Sequence, residues 1–213
     1  MSQELSSTQP LVNTPPTPSI THNDNVWGWL IPLVDGLNHL PLDLAEVRAG
    51  RDPDECHVVL TSDIFQQSGV DLGVEKVSRV HFTLHHGLGE NGSFLADNSL
   101  NGTWVNQVRI GKRNKIILDH CSVIAVLCQE MEMFCYLDRK IMERDFPSSL
   151  TSKYLVGKII GEGTTSVVRL GYRRGDYTKV ALKMINTKSW PSKYSRPTDL
   201  MAEVTVLADM SRD

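Results

Sequence analysis

Positive charge is not in excess in this sequence: 22 Lys and Arg stand against 25 Asp and Glu, for a net charge of -3. Without a cationic surplus there is no broad electrostatic footprint for nucleic-acid phosphates, which argues against a general DNA-binding role. Long hydrophobic runs are missing too, and a stretch such as Val123 to Cys128 falls far short of a membrane span. The opening Met1-Ser2-Gln3-Glu4 lacks the charged-then-apolar pattern of a secretion signal, so an intracellular protein is expected. Cysteine is scarce, and Cys56, Cys121, Cys128 and Cys135 contain no Cys-x-x-Cys spacing. Their apolar neighbours point to buried reduced thiols rather than zinc ligands or disulfides.

What is present is organised in blocks. Residues 1 to 25 are rich in Ser, Thr, Pro and Asn, with apolar residues too scattered to build a core, and read as a disordered tail. From Val26 the texture changes to short apolar stretches between turn residues: 26 to 34, 57 to 61, 81 to 85, 93 to 96, 103 to 106, 122 to 128 and 133 to 137. Many short strands with this spacing predict a β-sandwich over residues 26 to 140. Residues 139 to 152 are charged and then polar around Pro147, which reads as a connector opening with a helical turn, the linker proper being 141 to 152. Residues 153 to 213 then show three strand-like runs, 154 to 160, 167 to 172 and 179 to 185, and a helical apolar spacing over 199 to 210.

Within the sandwich region three motifs stand in order: Gly50-Arg51, Ser78-Arg79-Val80-His81 and Asn101-Gly102-Thr103. Arg51, Ser78, Arg79 and Asn101 together supply fixed cations and hydroxyl or amide donors, the chemistry that a phosphothreonine dianion requires. The set resembles the forkhead-associated (FHA) domain family. That resemblance implies that Arg51 and Ser78 bind the phosphate, that Arg79 adds a second charge and that Asn101 holds the peptide main chain. It also implies supporting roles for Gly50, for His81 as an internal brace and for Gly102 in a tight turn.

The second block carries Gly161-Glu162-Gly163-Thr164-Thr165-Ser166-Val167-Val168, followed by Val180-Ala181-Leu182-Lys183. A glycine-rich hairpin lets backbone amides approach phosphates, and a lysine neutralises them. The pattern resembles the ATP-binding lobe of a protein kinase, implying nucleotide-facing roles for Gly161, Gly163, Val168, Ala181 and Lys183, with Glu203 as the lysine's partner. Ser166 stands where the family has its third glycine. The sequence ends at Asp213 before any catalytic-loop aspartate or magnesium-binding aspartate. ATP and magnesium are therefore expected only for a complete kinase domain, and no catalysis by these residues alone.

A Ser/Thr-Gln tail, an FHA domain and the start of a kinase in that order resemble the checkpoint kinase 2 family. The family implies phosphothreonine-containing partners and a nuclear location. Three readings stay open: a phosphothreonine-binding module, the N-terminal portion of an active Ser/Thr kinase and, ranked below both, a pseudokinase-like scaffold that binds ATP without transferring phosphate. Thr8, before Gln9 and with Leu11 three residues on, is a candidate phosphosite through which the chain associates with itself, and Ser2 ranks below it because serine lacks the methyl group.

Overall fold

The computed structural model describes residues 25–67, 73–87, 92–164 and 166–185. Ser2, Thr8, Glu203 and the helix expected over 199 to 210 lie outside these residues. In chain order the described residues form β1 (Gly28–Pro32), β2 (Leu40–Leu42), β3 (Glu46–Gly50), β4 (Val58–Val59), α1 (Ser62–Gln67), β5 (Phe82–His85), β6 (Phe94–Asp97), β7 (Thr103–Val105), β8 (Val108–Arg109), β9 (Lys115–Ile117), β10 (Val123–Val126) and β11 (Glu132–Asp138). After these come α2 (Arg139–Asp145), α3 (Ser148–Thr151), β12 (Tyr154–Glu162), β13 (Ser166–Arg173) and β14 (Lys179–Ile185). A 3-10 turn, Val74–Lys76, precedes β5.

Strands β2-β1-β11-β10-β7-β8 make one sheet and β4-β3-β5-β6-β9 a second, and their inner faces close on one apolar core. Leu30, Leu42, Phe82, Leu84, Leu95, Ile124 and Tyr136 are fully buried there. Each large apolar side chain removed from water in this way contributes about 1.5–3 kcal/mol before chain entropy is set against it. The described part is thus mainly β, a sandwich followed by a separate sheet β12-β13-β14. No helix among the described residues is long and apolar enough to cross a membrane.

Strands β1 and β11, paired antiparallel with Trp29 opposite Leu137 and Leu30 opposite Tyr136, are buried on both faces. Because side chains alternate along a strand, Leu30, Phe134 and Tyr136 enter the sandwich core while Trp29, Ile31, Cys135 and Leu137 point the other way. The outward set is covered by Met142 of α2, Leu150 of α3 and Leu155, Val156, Tyr172, Val180 and Leu182 of the third sheet. Polar ties reinforce this seam: Arg174 lies 4.6 Å over the Trp29 ring and donates from Nε to the Thr151 carbonyl, and His39 stacks on Tyr177.

The segment expected as a connector is therefore two short helices whose buried residues join the sandwich to the third sheet. Asp138 caps α2 by accepting from the Ile141 N–H at 3.0 Å, and Pro147 precedes α3. The cysteines also differ from expectation, since all four are free thiols but only Cys135 is buried.

Leu137→Ala removes a fully buried side chain from the seam and leaves the sandwich core lining intact. We expect a loss of about 2–5 kcal/mol in urea unfolding, with faster amide exchange in β12 to β14 than in β5 and β6. Equal acceleration in all of these strands would mean that the seam is not a separate cooperative layer.

Candidate functional site

The three sequence motifs meet at one end of the sandwich, on the segment after β3, the segment before β5 and the turn between β6 and β7. Backbone bonds knit them together. The Arg51 N–H donates to the Ser78 carbonyl and the Asp52 N–H to the Arg79 carbonyl, both at 3.2 Å, while the His81 N–H donates to the Ala49 carbonyl at 2.7 Å. Gly50 makes this possible, because a Cβ there would collide with the Arg79 carbonyl oxygen. On the other side the Leu100 N–H donates to Ser78 Oγ at 3.1 Å, and Asn101 Nδ2 donates to the Lys76 carbonyl at 2.6 Å.

His81 is wholly buried at the junction. Its Nδ1 accepts the Ser78 N–H at 3.2 Å, so the ring proton sits on Nε2 and is donated to the Gly102 carbonyl at 2.9 Å. Burial pushes its pKa below the ordinary imidazole value, partly opposed by the Gly102 carbonyl and the Asp97 carboxylate. The neutral ring thus ties the Ser78 loop to the Asn101 turn.

A second buried network shapes that turn. Asp97 Oδ1 accepts from the Ser99 N–H at 2.9 Å and from Thr103 Oγ1 at 2.8 Å, while Ser99 Oγ accepts the Gly102 N–H at 2.9 Å. Gly102 has a positive φ of 112°, and a Cβ would sit 2.7 Å from the Trp104 ring. Asp97 and Ser99 are not among the sequence-derived residues, although a carboxylate and a hydroxyl flanking Asn98 are the ordinary chemistry of a turn that binds its own backbone.

The side chains facing solvent differ in their commitments. The Arg51 guanidinium is exposed and has no hydrogen bond or ion pair to another described residue. Ser78 Oγ accepts from Leu100, leaving its own proton to donate, and Asn101 donates to Lys76, leaving Oδ1 to accept. Arg79 is already engaged: Nε lies 2.7 Å from Asp52 Oδ2 and Nη2 pairs with Glu55 Oε1. The Arg79 hydrogen bond, followed by the Asp54 N–H, holds the Asp52 carboxyl below its usual range. Neither acid was singled out from sequence.

In the third sheet, β12 and β13 form a hairpin closed by the Gly163 N–H donating to the Ser166 carbonyl at 2.8 Å. The register sets Gly161 beside Val168 and Val168 beside Lys183, one row across three strands, with Ala181 opposite Leu170 and Lys183 exposed.

Residues 47–126 match the FHA domain family. Serine/threonine-protein kinase chk-2 of Caenorhabditis elegans is 30% identical over 178 residues, which cover 80% of this chain and 36% of that protein. The "Probable serine/threonine-protein kinase fhkC" of Dictyostelium discoideum is 28% identical over 189 residues, 85% of this chain and 30% of its own length. The chain thus spans about a third of each of these relatives. Among solved structures, the N-terminal FHA domain of S. cerevisiae Rad53p in complex with a phosphothreonine peptide is 18% identical, covering 57% of this chain and 100% of that one, with a TM-score of 0.42.

The neutral His81 has a consequence for stability. An unfolded chain takes up a proton on this ring as pH falls through about 6.5, whereas the folded chain resists protonation until lower pH. Its stabilisation is complete above about pH 6.5 and is lost as pH falls from there through the folded pKa. His39 and His86, lowered chiefly by burial, share the slope. Urea unfolding between about pH 7.5 and 5.5 should show His81→Asn to be less stable but less pH-sensitive than the parent; an unchanged slope would remove His81 from the account.

Proposed function

Because this chain carries an FHA domain, we propose that it binds phosphothreonine-containing protein segments, as the reading module of a checkpoint-kinase-like Ser/Thr protein kinase. The observation that carries this reading is the uncommitted Arg51 guanidinium on a loop locked to Ser78 and Asn101 by His81. A phosphate dianion takes charge-assisted bonds from Arg51 and a proton donor from Ser78, while Asn101 Oδ1 accepts a peptide N–H. Arg79 would join by exchanging Asp52 and Glu55 for the phosphate, whose two charges and three acceptor oxygens offset the loss of the carboxylates. Segments carrying phosphorylated Thr8 of a second copy, and partners in the nucleus, belong to the same proposal.

A second reading, the N-terminal portion of an active kinase, is favoured by the row formed by Gly161, Val168 and Lys183. These residues fit the small-lobe half of a nucleotide site: the hairpin amides would face phosphates and Lys183 would offset their charge. ATP would supply the transferable phosphoryl group. We expect no phosphoryl transfer by residues 1–213 alone, and turnover that Lys183→Met abolishes would overturn that expectation.

Calorimetry with a phosphothreonine peptide and its unphosphorylated twin tests the first reading. Arg51→Ala should weaken binding at least about tenfold, about 1.5 kcal/mol, with the fold unchanged by circular dichroism. Phosphoserine in place of phosphothreonine should bind more weakly, and unchanged affinity of Arg51→Ala would remove this residue from the phosphate site.

A further inference from the structure

A cavity of about 550 Å³ opens where the sandwich, the helices α2 and α3 and the turn between β13 and β14 meet. Val26, Trp29, Pro41, Met142 and Leu155 give it apolar walls. Arg139, Glu143 and Arg174 bring charge to it, and Ser148 and Ser152 bring hydroxyls. A concave site with mostly apolar walls and a few polar groups is the usual setting for a small ligand. Arg51, Ser78 and Asn101 do not line it, so it is separate from the loop end of the sandwich.

The two arginines differ in their commitments. Arg139 Nε lies 2.6 Å from Glu143 Oε1, and Arg139 Nη1 donates to the Val26 carbonyl at 3.1 Å. Arg174 is anchored without a counter-charge. Its N–H donates to the Lys153 carbonyl at 2.8 Å, its Nε donates to the Thr151 carbonyl at 2.7 Å, and its guanidinium lies 4.6 Å over the Trp29 ring. Among the described residues it has no ion pair, and its two Nη groups have no hydrogen-bond acceptor. Burial, and after it the Arg139 guanidinium, lower the Arg174 pKa, so the charge is held at a cost that an entering anion would relieve. The fixed guanidinium leaves its two Nη groups to offer parallel N–H bonds, a geometry that a carboxylate accepts. Two guanidiniums against one carboxylate leave the lining with a single net positive charge, which a monoanion matches.

We propose that this cavity binds a small monocarboxylate with an apolar body, its carboxylate on the Nη groups of Arg174 and its body against Val26, Met142 and Leu155. A dianion would bring a second charge to a lining that already holds Glu143 and is less well matched. A ligand seated there touches the sandwich, both helices and the third sheet at once, and so stabilises the seam that joins them.

The test is an NMR titration of the full chain with phenylacetate. Phenylacetamide has the same shape without the charge, acetate lacks the ring, and phenyl phosphate carries a second charge. Phenylacetate should shift the amide signals of α2, α3 and the turn between β13 and β14, and should bind at least about tenfold more tightly than phenylacetamide or acetate and more tightly than phenyl phosphate. Arg174→Gln should weaken phenylacetate about tenfold and leave the affinity for a phosphothreonine peptide unchanged, which separates this cavity from the peptide site. Equal binding of phenylacetate and phenylacetamide, tighter binding of phenyl phosphate, shifts confined to the loops of Arg51 and Asn101, unchanged affinity in Arg174→Gln, or no saturation at millimolar phenylacetate would each overturn the proposal. Should Arg174→Gln fail to fold, the four compounds on the parent chain decide the matter by themselves.

Discussion

The neutral imidazole of His81 is the contact on which the loop end of the sandwich depends. It has one acceptor and one donor, and both are spent inside the protein, on the Ser78 N–H and the Gly102 carbonyl. Removing either partner would leave a fully buried polar atom without a bond, which costs more than the bond itself contributes. The backbone at Arg51, Ser78 and Asn101 is accordingly fixed from within, whereas the exposed Arg51 guanidinium keeps its rotamer freedom.

That rigidity continues through the strands. β3 ends at Gly50 and β5 begins just after His81, and the two are paired from Glu46 opposite His85 to Ala49 opposite Phe82. On the opposite sheet, β1 and β11 serve two cores at once, so the sandwich and the third sheet share a wall of backbone. A shear of Cys135 or Leu137 in the seam would be felt by Phe134 and Tyr136 in the sandwich, because neighbouring residues of one strand cannot move separately in close-packed surroundings.

Strands with strong β-branched or aromatic content were legible in sequence, as β10, β11 and β14 show. β3 was not, because Glu46 and Arg48 interrupt it, yet these two pair with each other on the outer face while Val47 and Ala49 face the core. The alternation of a half-buried strand was present, but two charged residues in five break the apolar run that would have marked it. β8 and β9 left no pattern, with Val108 and Ile117 largely exposed at sheet edges. The Asn106-Gln107 turn, with φ of 49° and 68°, explains why β8 follows at all, since a two-residue loop of that hand returns the strand on itself. In the site, the motifs located the loops, but the state of each side chain depends on partners distant in sequence. Arg79 reads as a free cation until Asp52 and Glu55 are set beside it.

Those two acids give the loop end a graded electrostatic character. A site with both guanidiniums unpaired would attract any multivalent anion, since the cations would meet it without competition. With Arg79 held by Asp52 and Glu55, an anion that meets Arg51 must displace carboxylates to gain the Arg79 guanidinium as well. A singly charged carboxylate brings no more charge than the acid it would displace, so the exchange offers it little. A phosphate dianion concentrates two charges and three acceptor oxygens at one point and can offset the displacement. On the proposed function, part of the selection for phosphate over an acidic side chain resides in the acids paired with Arg79.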